Sequence, residues 1–192
     1  MIDDKQLTEE YLDGKVVFPG KIIRVEHWHV RLPNGETALR EVACHPGAAG
    51  IVALDDDGNV ILVRQHRIAV GRLTLEIPAG HALSPDERPL DVAARKLREE
   101  AGFEAERFSQ FSRFINTPSF SNQHTALFLA TGLTPSDRSK LGPETPRAEV
   151  RLFSLDEAYD MVINGTIVDA KTIIAILRLH CGPDNLAEGL NE

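Results

Sequence analysis

Cysteine is scarce, with two residues in 192. Cys44 and Cys181 lie far apart and form no CxxC pair, which excludes a disulfide framework and a cysteine zinc site. Both are expected as reduced thiols packed as small hydrophobes. Positive charge is also short. Lys and Arg number 21 against 29 Asp and Glu, giving a net charge of -8 and a pI near 5.4. A surface this acidic argues against the phosphate backbone of a nucleic acid as the main partner, since that needs a clustered positive field. A small anionic substrate remains compatible where a metal or a local arginine cluster neutralises it. No apolar run reaches the length of a membrane span, and the N-terminus (MIDDKQLTEEYLDGK) has no apolar leader. The expectation is a cytoplasmic protein with no membrane partner. Repeats and low-complexity segments are absent as well. What is present, 42% apolar and 26% charged residues, suits one folded domain with a small appendage.

Residues 1–15 are polar and read as loose. From Val16 to Cys44 two alternating runs flank a Pro33–Asn34–Gly35 turn and predict an antiparallel hairpin, with Trp28, Val30 and Leu32 on one face and His27, His29 and Arg31 on the other. His27 and His29 have no Cys or carboxylate cluster beside them and read as ordinary hairpin residues. Residues 50–54 and 59–64, around the turn at residues 55–58, read as a second hairpin, and residues 73–77 as a further strand. The spacing predicts a helix over 89–101: Pro89 suits its first position, Gly102 stands just past its end, and Leu90, Ala94, Leu97 and Ala101 give its buried stripe. Strands are expected near 108–114, 125–131 and 149–153. Ser154 and Glu157 form a capping box for a helix ending at Asn164 and Gly165, and a last helix runs from about Asp169 to His180. The class is α+β with a mixed sheet.

The chemistry concentrates between Gly80 and Phe103. On a helix, Glu99 and Glu100 lie one turn beyond Arg95 and Lys96, and Glu87 sits in the loop before the helix. Adjacent carboxylates beside a loop carbonyl make an oxygen-rich site for a hard divalent cation, Mg²⁺ or Mn²⁺. The plainer alternative is a surface helix with Arg95–Glu99 and Lys96–Glu100 pairs, worth roughly 0.3–0.5 kcal/mol each.

The segment resembles the Nudix box, G-x5-E-x7-R-E-U-x-E-E-x-G-U, with U a large aliphatic or similar residue. Gly80, Glu87, Arg95, Leu97, Glu99, Glu100, Gly102 and Phe103 fall on its fixed positions. Two departures stand out: one extra residue between Gly80 and Glu87, and Lys96 in place of the Glu that follows the box arginine. Further matches, from Asn34–Gly35 and Arg40–Val42 through Glu76–Gly80 to Asp169–Thr172, are similar to the ADP-ribose pyrophosphatase subgroup and span about residues 20–180. The resemblance implies an α/β/α Nudix sandwich: a mixed β-sheet core with the Nudix-box helix and a small N-terminal antiparallel β-sheet. Its parts would be a dimerising, domain-swapped appendage (1–45), a hydrolase core (46–182) and a polar tail (183–192). It implies a homodimer that cleaves the diphosphate of ADP-ribose or a related nucleotide sugar to AMP and ribose 5-phosphate.

By the same resemblance the Ala79 carbonyl, Glu99 and Glu100 hold the metal, and Arg95 orients the acidic cluster. Glu144 lies where this subgroup has a late glutamate and is a candidate general base, with Glu149 as the alternative. Arg40, Arg64 and Arg67 are candidates for phosphate and ribose, because arginine reads phosphate oxygens in a bidentate way. Glu76 is a candidate substrate contact, and Trp28 is a candidate for stacking on adenine, with packing as its alternative. Lysine cannot ligate a hard cation while protonated, so Lys96 leaves a second reading open: a catalytically impaired Nudix fold that binds or senses a nucleotide. RNA binding ranks third, against the charge.

Overall fold

A left-handed glycine, Gly35 (φ 89°), turns the chain between two strands whose partners are set residue by residue. The structure, a computed structural model, describes residues 3–137 and 148–182. Those residues fall into two compact units. The first contains the described residues up to Gly47 together with Ile115–His124. The second contains Ala48–Phe114 and the described residues from Thr125 onward.

In the first unit, β1 (Glu10–Pro19), β2 (Arg24–Arg31) and β3 (Thr37–Cys44) form an antiparallel sheet. The expected hairpin is β2–β3. The strand β1 departs from the reading of residues 1–15 as loose: it begins at Glu10, and nine of its ten residues are solvent-exposed, so it shows none of the half-buried alternation that marks a strand in sequence. Ala43 donates its amide to the Phe120 carbonyl at 2.8 Å, and the Ser121 hydroxyl donates to the Ala43 carbonyl at 2.7 Å, which ties 115–124 to this sheet.

In the second unit, β4 (Ala48–Ala53), β5 (Val60–Arg67), β6 (Arg72–Glu76), β7 (Ala79–His81), β8 (Phe103–Ile115), β9 (His124–Pro135) and β10 (Ala148–Phe153) divide into two sheets. One has the order β10-β5-β6 and the other β7-β4-β9-β8, with β4 and β9 parallel. The expected 50–64 hairpin is therefore not one. Its two runs belong to different sheets and meet only at a Leu54–Val60 bridge. The cause is burial on both faces, which gives continuous apolar runs with no hairpin signature.

Three helices cover the sheets: α1 (Pro89–Lys96), α2 (Leu155–Ile163) and α3 (Ala170–Cys181). The two-residue period of the strands sorts the core. Ala49, Ile51, Ile61, Ala126 and Phe128 pack with Val92, Ala93 and Leu97 of the α1 segment. Val52, Val60, Leu62 and Leu127 point the other way, into Ala158 of α2 and Ala175, Ile176 and Leu179 of α3. This is the α/β/α sandwich of an α+β fold. Of the expected α1 stripe, Leu97 and Ala101 are buried as read, whereas Leu90 and Ala94 are exposed and Val92 and Ala93 are buried in the first turns instead. Cys44 is buried, but Cys181, at the end of α3, is exposed. Among the described residues no helix is long and apolar enough to cross a membrane.

Candidate active site

The helix that starts at Pro89 does not stay α-helical to Gly102. After Lys96 it widens into a π-turn, Leu97–Ala101, closed by the Gly102 amide on the Leu97 carbonyl at 3.1 Å and capped by Gly102 in the left-handed region (φ 79°). Such turns are rare, and they concentrate at functional sites. The expected Lys96–Glu100 pair does not form. Lys96 Nζ instead reaches Glu99 Oε2 at 2.8 Å, and the Glu100 side chain enters the interior, 9% exposed.

Inside, Glu100 Oε2 accepts the Ala79 amide of β7 at 3.0 Å, and among the described residues Oε1 accepts no hydrogen bond. Burial pushes the carboxyl above the ordinary glutamate range. The Ala79 amide and the charges of Lys96, Arg67 and Lys171 pull it back without fully compensating. A desolvated carboxylate with an uncommitted oxygen is suited to a hard cation.

Arg95 is held by its fork. Nε and Nη2 donate to Glu87 at 3.0–3.1 Å, and Nη2 also reaches the His81 carbonyl at 3.2 Å. Glu87 in turn accepts the Leu83 amide at 2.6 Å. This cross-brace fixes the loop between β7 and α1, and the same arginine stands 3.7 Å from Glu99. Glu87 and Arg95 thus hold the β7–α1 loop beside Glu99.

Behind it lies a second network. Glu76, 2% exposed, receives Arg67 Nε and Thr74 Oγ1 on Oε1 (2.8 and 2.6 Å), and Arg67 Nη2 and Lys171 Nζ on Oε2 (2.6 and 2.7 Å). Burial alone would raise this carboxyl, but Arg67 and Lys171 outweigh it and hold it at about 2. Its oxygens are fully committed within the protein. The sequence reading named Glu76 and Arg67 but missed Thr74 and Lys171. The one available signal was a helix-capping Asp169 followed by Lys171 and Thr172.

The remaining candidates are dispersed. Arg64 on β5 lies 3.4 Å from Glu149 on β10. Glu149 is held below the usual carboxylate range, first by Arg151 and then by Arg64. Glu144 lies outside the described residues. Trp28 and Arg40 belong to the first unit, directly opposite each other on β2 and β3. Trp28 donates Nε1 to Glu26 at 2.7 Å and stands edge-on to Tyr11, while Arg40 pairs with Glu9. Both border a concavity of about 430 Å³ shared with Tyr11, Val30, Phe120 and Asn122.

Among the described residues no three His, Cys, Asp or Glu side chains converge as a metal cage. The donor set is leaner, with the carboxylates of Glu99 and Glu100 beside the Ala79 backbone. That fits a cation of the Mg²⁺ type, which one or two carboxylates hold jointly with substrate phosphates.

A family model for the NUDIX domain matches residues 45–175. The chain is 35% identical, over 92% of its length and 95% of the relative's, to an ADP-ribose pyrophosphatase of Bacillus subtilis. It is 34% identical, over 93% and 86%, to an ADP-ribose pyrophosphatase of Mycobacterium tuberculosis. A methanol dehydrogenase activator of Bacillus methanolicus is 31% identical over 92% and 95%. Among solved structures, that of an ADP compounds hydrolase matches with a TM-score of 0.77 at 22% identity, covering 92% of this chain and 96% of the other, a likeness of fold.

Proposed function

The chain belongs to the NUDIX domain family, and we propose that it hydrolyses the diphosphate of ADP-ribose or a related nucleotide sugar, releasing AMP and ribose 5-phosphate. The observation that carries this reading is the Glu100 carboxylate, buried at the end of the π-turn with one oxygen on the Ala79 amide and the other without a hydrogen bond among the described residues. It is supported by relatives named ADP-ribose pyrophosphatase that match over nearly the whole chain.

The family works with a divalent cation, here taken as Mg²⁺ or Mn²⁺. Glu100, Glu99 and the Ala79 carbonyl would hold it. When bound, such a cation supplies charge to the phosphoryl oxygens and lowers the pKa of a water. The protein's own part is positional. Arg95 and Glu87 keep the β7–α1 loop in place, so that Ala79 and the two carboxylates stay in register. Glu76 aims Arg67, and Arg67 and Arg64 offer bidentate donors to substrate oxygens. Glu144 is the general base of this proposal. Glu149, held low by two arginines, is a weaker base at neutral pH.

Trp28 is assigned to adenine and Arg40 to the phosphates or terminal ribose, in a homodimer formed through the first unit. That unit exposes Val16, Phe18, Ile22, Ile23 and Leu39, as a sheet with a partner would. Nothing in the comparisons favours a nucleotide-binding protein without turnover.

The test is AMP release from ADP-ribose with Mg²⁺ or Mn²⁺, with Glu100→Gln as control. Metal-dependent turnover that the control lacks is the expected result. Turnover without metal, or equal turnover in the control, overturns the assignment.

A further inference from the structure

Lys96 closes α1 one residue after the brace arginine, and its side chain does not extend into solvent. It is 15% exposed, with Nζ 2.8 Å from Glu99 Oε2. Its stem lies flat across the bare backbone of Gly80. A Cβ added at Gly80 would come within 2.2 Å of Lys96 Cε, 2.6 Å of Cδ and 2.9 Å of Cγ. Only glycine lets the lysine take this path. Gly80 directly follows Ala79, whose amide holds Glu100, so the lysine stem runs beside that strand to place its ammonium on Glu99. Its charge is felt on both flanks: it is the largest of the charges acting on Glu100, and it disfavours protonation of His81. An ordinary surface pair on a helix needs neither a glycine track nor a half-buried partner.

We propose that the Lys96 ammonium is a built-in cation of the diphosphate site, taking the place and part of the charge of one divalent ion beside Glu99. The chain therefore binds fewer metal ions than it would with a carboxylate at position 96. The inference rests on the reading of this pocket as a hydrolase site. An ammonium has three donors. One is spent on Glu99, and among the described residues no other acceptor holds the ammonium, which leaves the rest for a phosphoryl oxygen. An ammonium cannot act as a Lewis acid toward water, so that chemistry would have to come from a divalent cation that Glu100 would hold. Lys96 thus supplies charge and holds Glu99 still.

The test is a Mn²⁺ titration of the metal-free full chain, read by electron paramagnetic resonance without nucleotide, on wild type, Lys96→Glu and Gly80→Ala. Lys96→Glu removes the resident charge and adds a ligand, and should tighten Mn²⁺ binding about tenfold or more with one further equivalent bound. Gly80→Ala keeps every charge but pushes the flexible lysine stem aside, and should tighten binding in the same direction. The three atoms nearest the new methyl all belong to that flexible stem, so this variant should stay folded and carry the readout if Lys96→Glu does not. Lys96→Met should lower kcat about tenfold, with recovery as Mg²⁺ is raised and the bulk ion fills the vacated position. Mn²⁺ affinity and stoichiometry that match wild type in both Lys96→Glu and Gly80→Ala overturn the proposal. Absence of ADP-ribose turnover in wild type would overturn the assigned function alone, since the Mn²⁺ count is read without catalysis.

Discussion

Lys171 on α3 and Glu76 on β6 stand 95 residues apart in the chain, yet Nζ and Oε2 meet at 2.7 Å. The same lysine is braced by Asp169, the N-cap of α3, at 2.8 Å. Thr172, one residue further on, accepts the Ile77 amide at 2.9 Å. One helix N-terminus therefore pins the end of β6 and the residue after it. Two positions later comes Ala79, whose amide holds Glu100. The acidic pocket is thereby anchored to the C-terminal helix.

This anchor makes stability depend on acid. The Glu76 carboxyl sits at about 2 against an ordinary 4.5. A carboxyl depressed in the folded state contributes stability that is present above about pH 4.5 and is lost as pH falls toward 2. The shift corresponds to about 3 kcal/mol. Glu76→Gln, which leaves Arg67 and Lys171 without their shared anion, should cost about 3 kcal/mol at pH 7. The gap to wild type should close as pH drops from 5 to 2.5, followed by urea unfolding. A gap that stays constant over that range would show that the charge of Glu76 contributes nothing.

Much of the pocket's scaffold was legible because it is local. The Ser154–Glu157 capping box forms as read, and α3 begins directly after Asp169, where the last helix was expected; both rest on residues a few positions apart. What depends on distant partners was not legible. The runs of β4 and β5 carry no mark of belonging to separate sheets, because burial on both faces erases alternation. The exposed β1 shows no period at all. Nor does a sequence signal distinguish a π-turn from one more α-helical turn, and that widening decides which glutamate Lys96 meets and which one goes inside. Lys171 fell within the Asp169–Thr172 match, but its partner Glu76 could not be read, since it lies on another element.

Arg95 should not tolerate lysine. Its planar fork sets Nε on Glu87 Oε1 and Nη2 on Oε2, with Nη2 also reaching the His81 carbonyl, and a single ammonium cannot reproduce this arrangement. Because the residue supports the ligand loop and does not itself receive substrate, Arg95→Lys should lower kcat about 10- to 100-fold, with KM changed by less than about threefold. Steady-state kinetics on ADP-ribose separate the two parameters. A rise in KM alone would reassign Arg95 to substrate binding.

Trp28 should act on KM. If its ring carries the adenine, Trp28→Ala removes a stacking contact worth about 1–3 kcal/mol and raises KM about tenfold with kcat nearly unchanged. Light scattering should give a dimer for wild type and variant alike, since the exposed apolar residues of the first unit are untouched by the change. An unaltered KM would leave Trp28 as packing for Tyr11 and Gly14, which its ring already contacts.

Removing the metal should make the acidic pocket a weak point of the fold, and Glu100 makes this measurable. Its carboxyl is raised above 4.5 by burial. The folded chain therefore binds that proton more tightly than the unfolded chain, and stability is lost as pH rises from the unfolded value through the folded one. The metal-free protein therefore carries more of this penalty at neutral pH than in acid. Glu100→Gln, neutral and still able to accept the Ala79 amide, should melt about 2–5 °C higher than wild type in a chelator. Addition of Mg²⁺ or Mn²⁺ should reverse the order, because wild type gains the cation and the variant does not. A stability order independent of metal would show that Glu100 is not a ligand, whatever its burial. The same pair of proteins gives the catalytic corollary. The variant that is more stable without metal should be the one without turnover, since the buried charge that weakens the empty pocket is the one the cation needs.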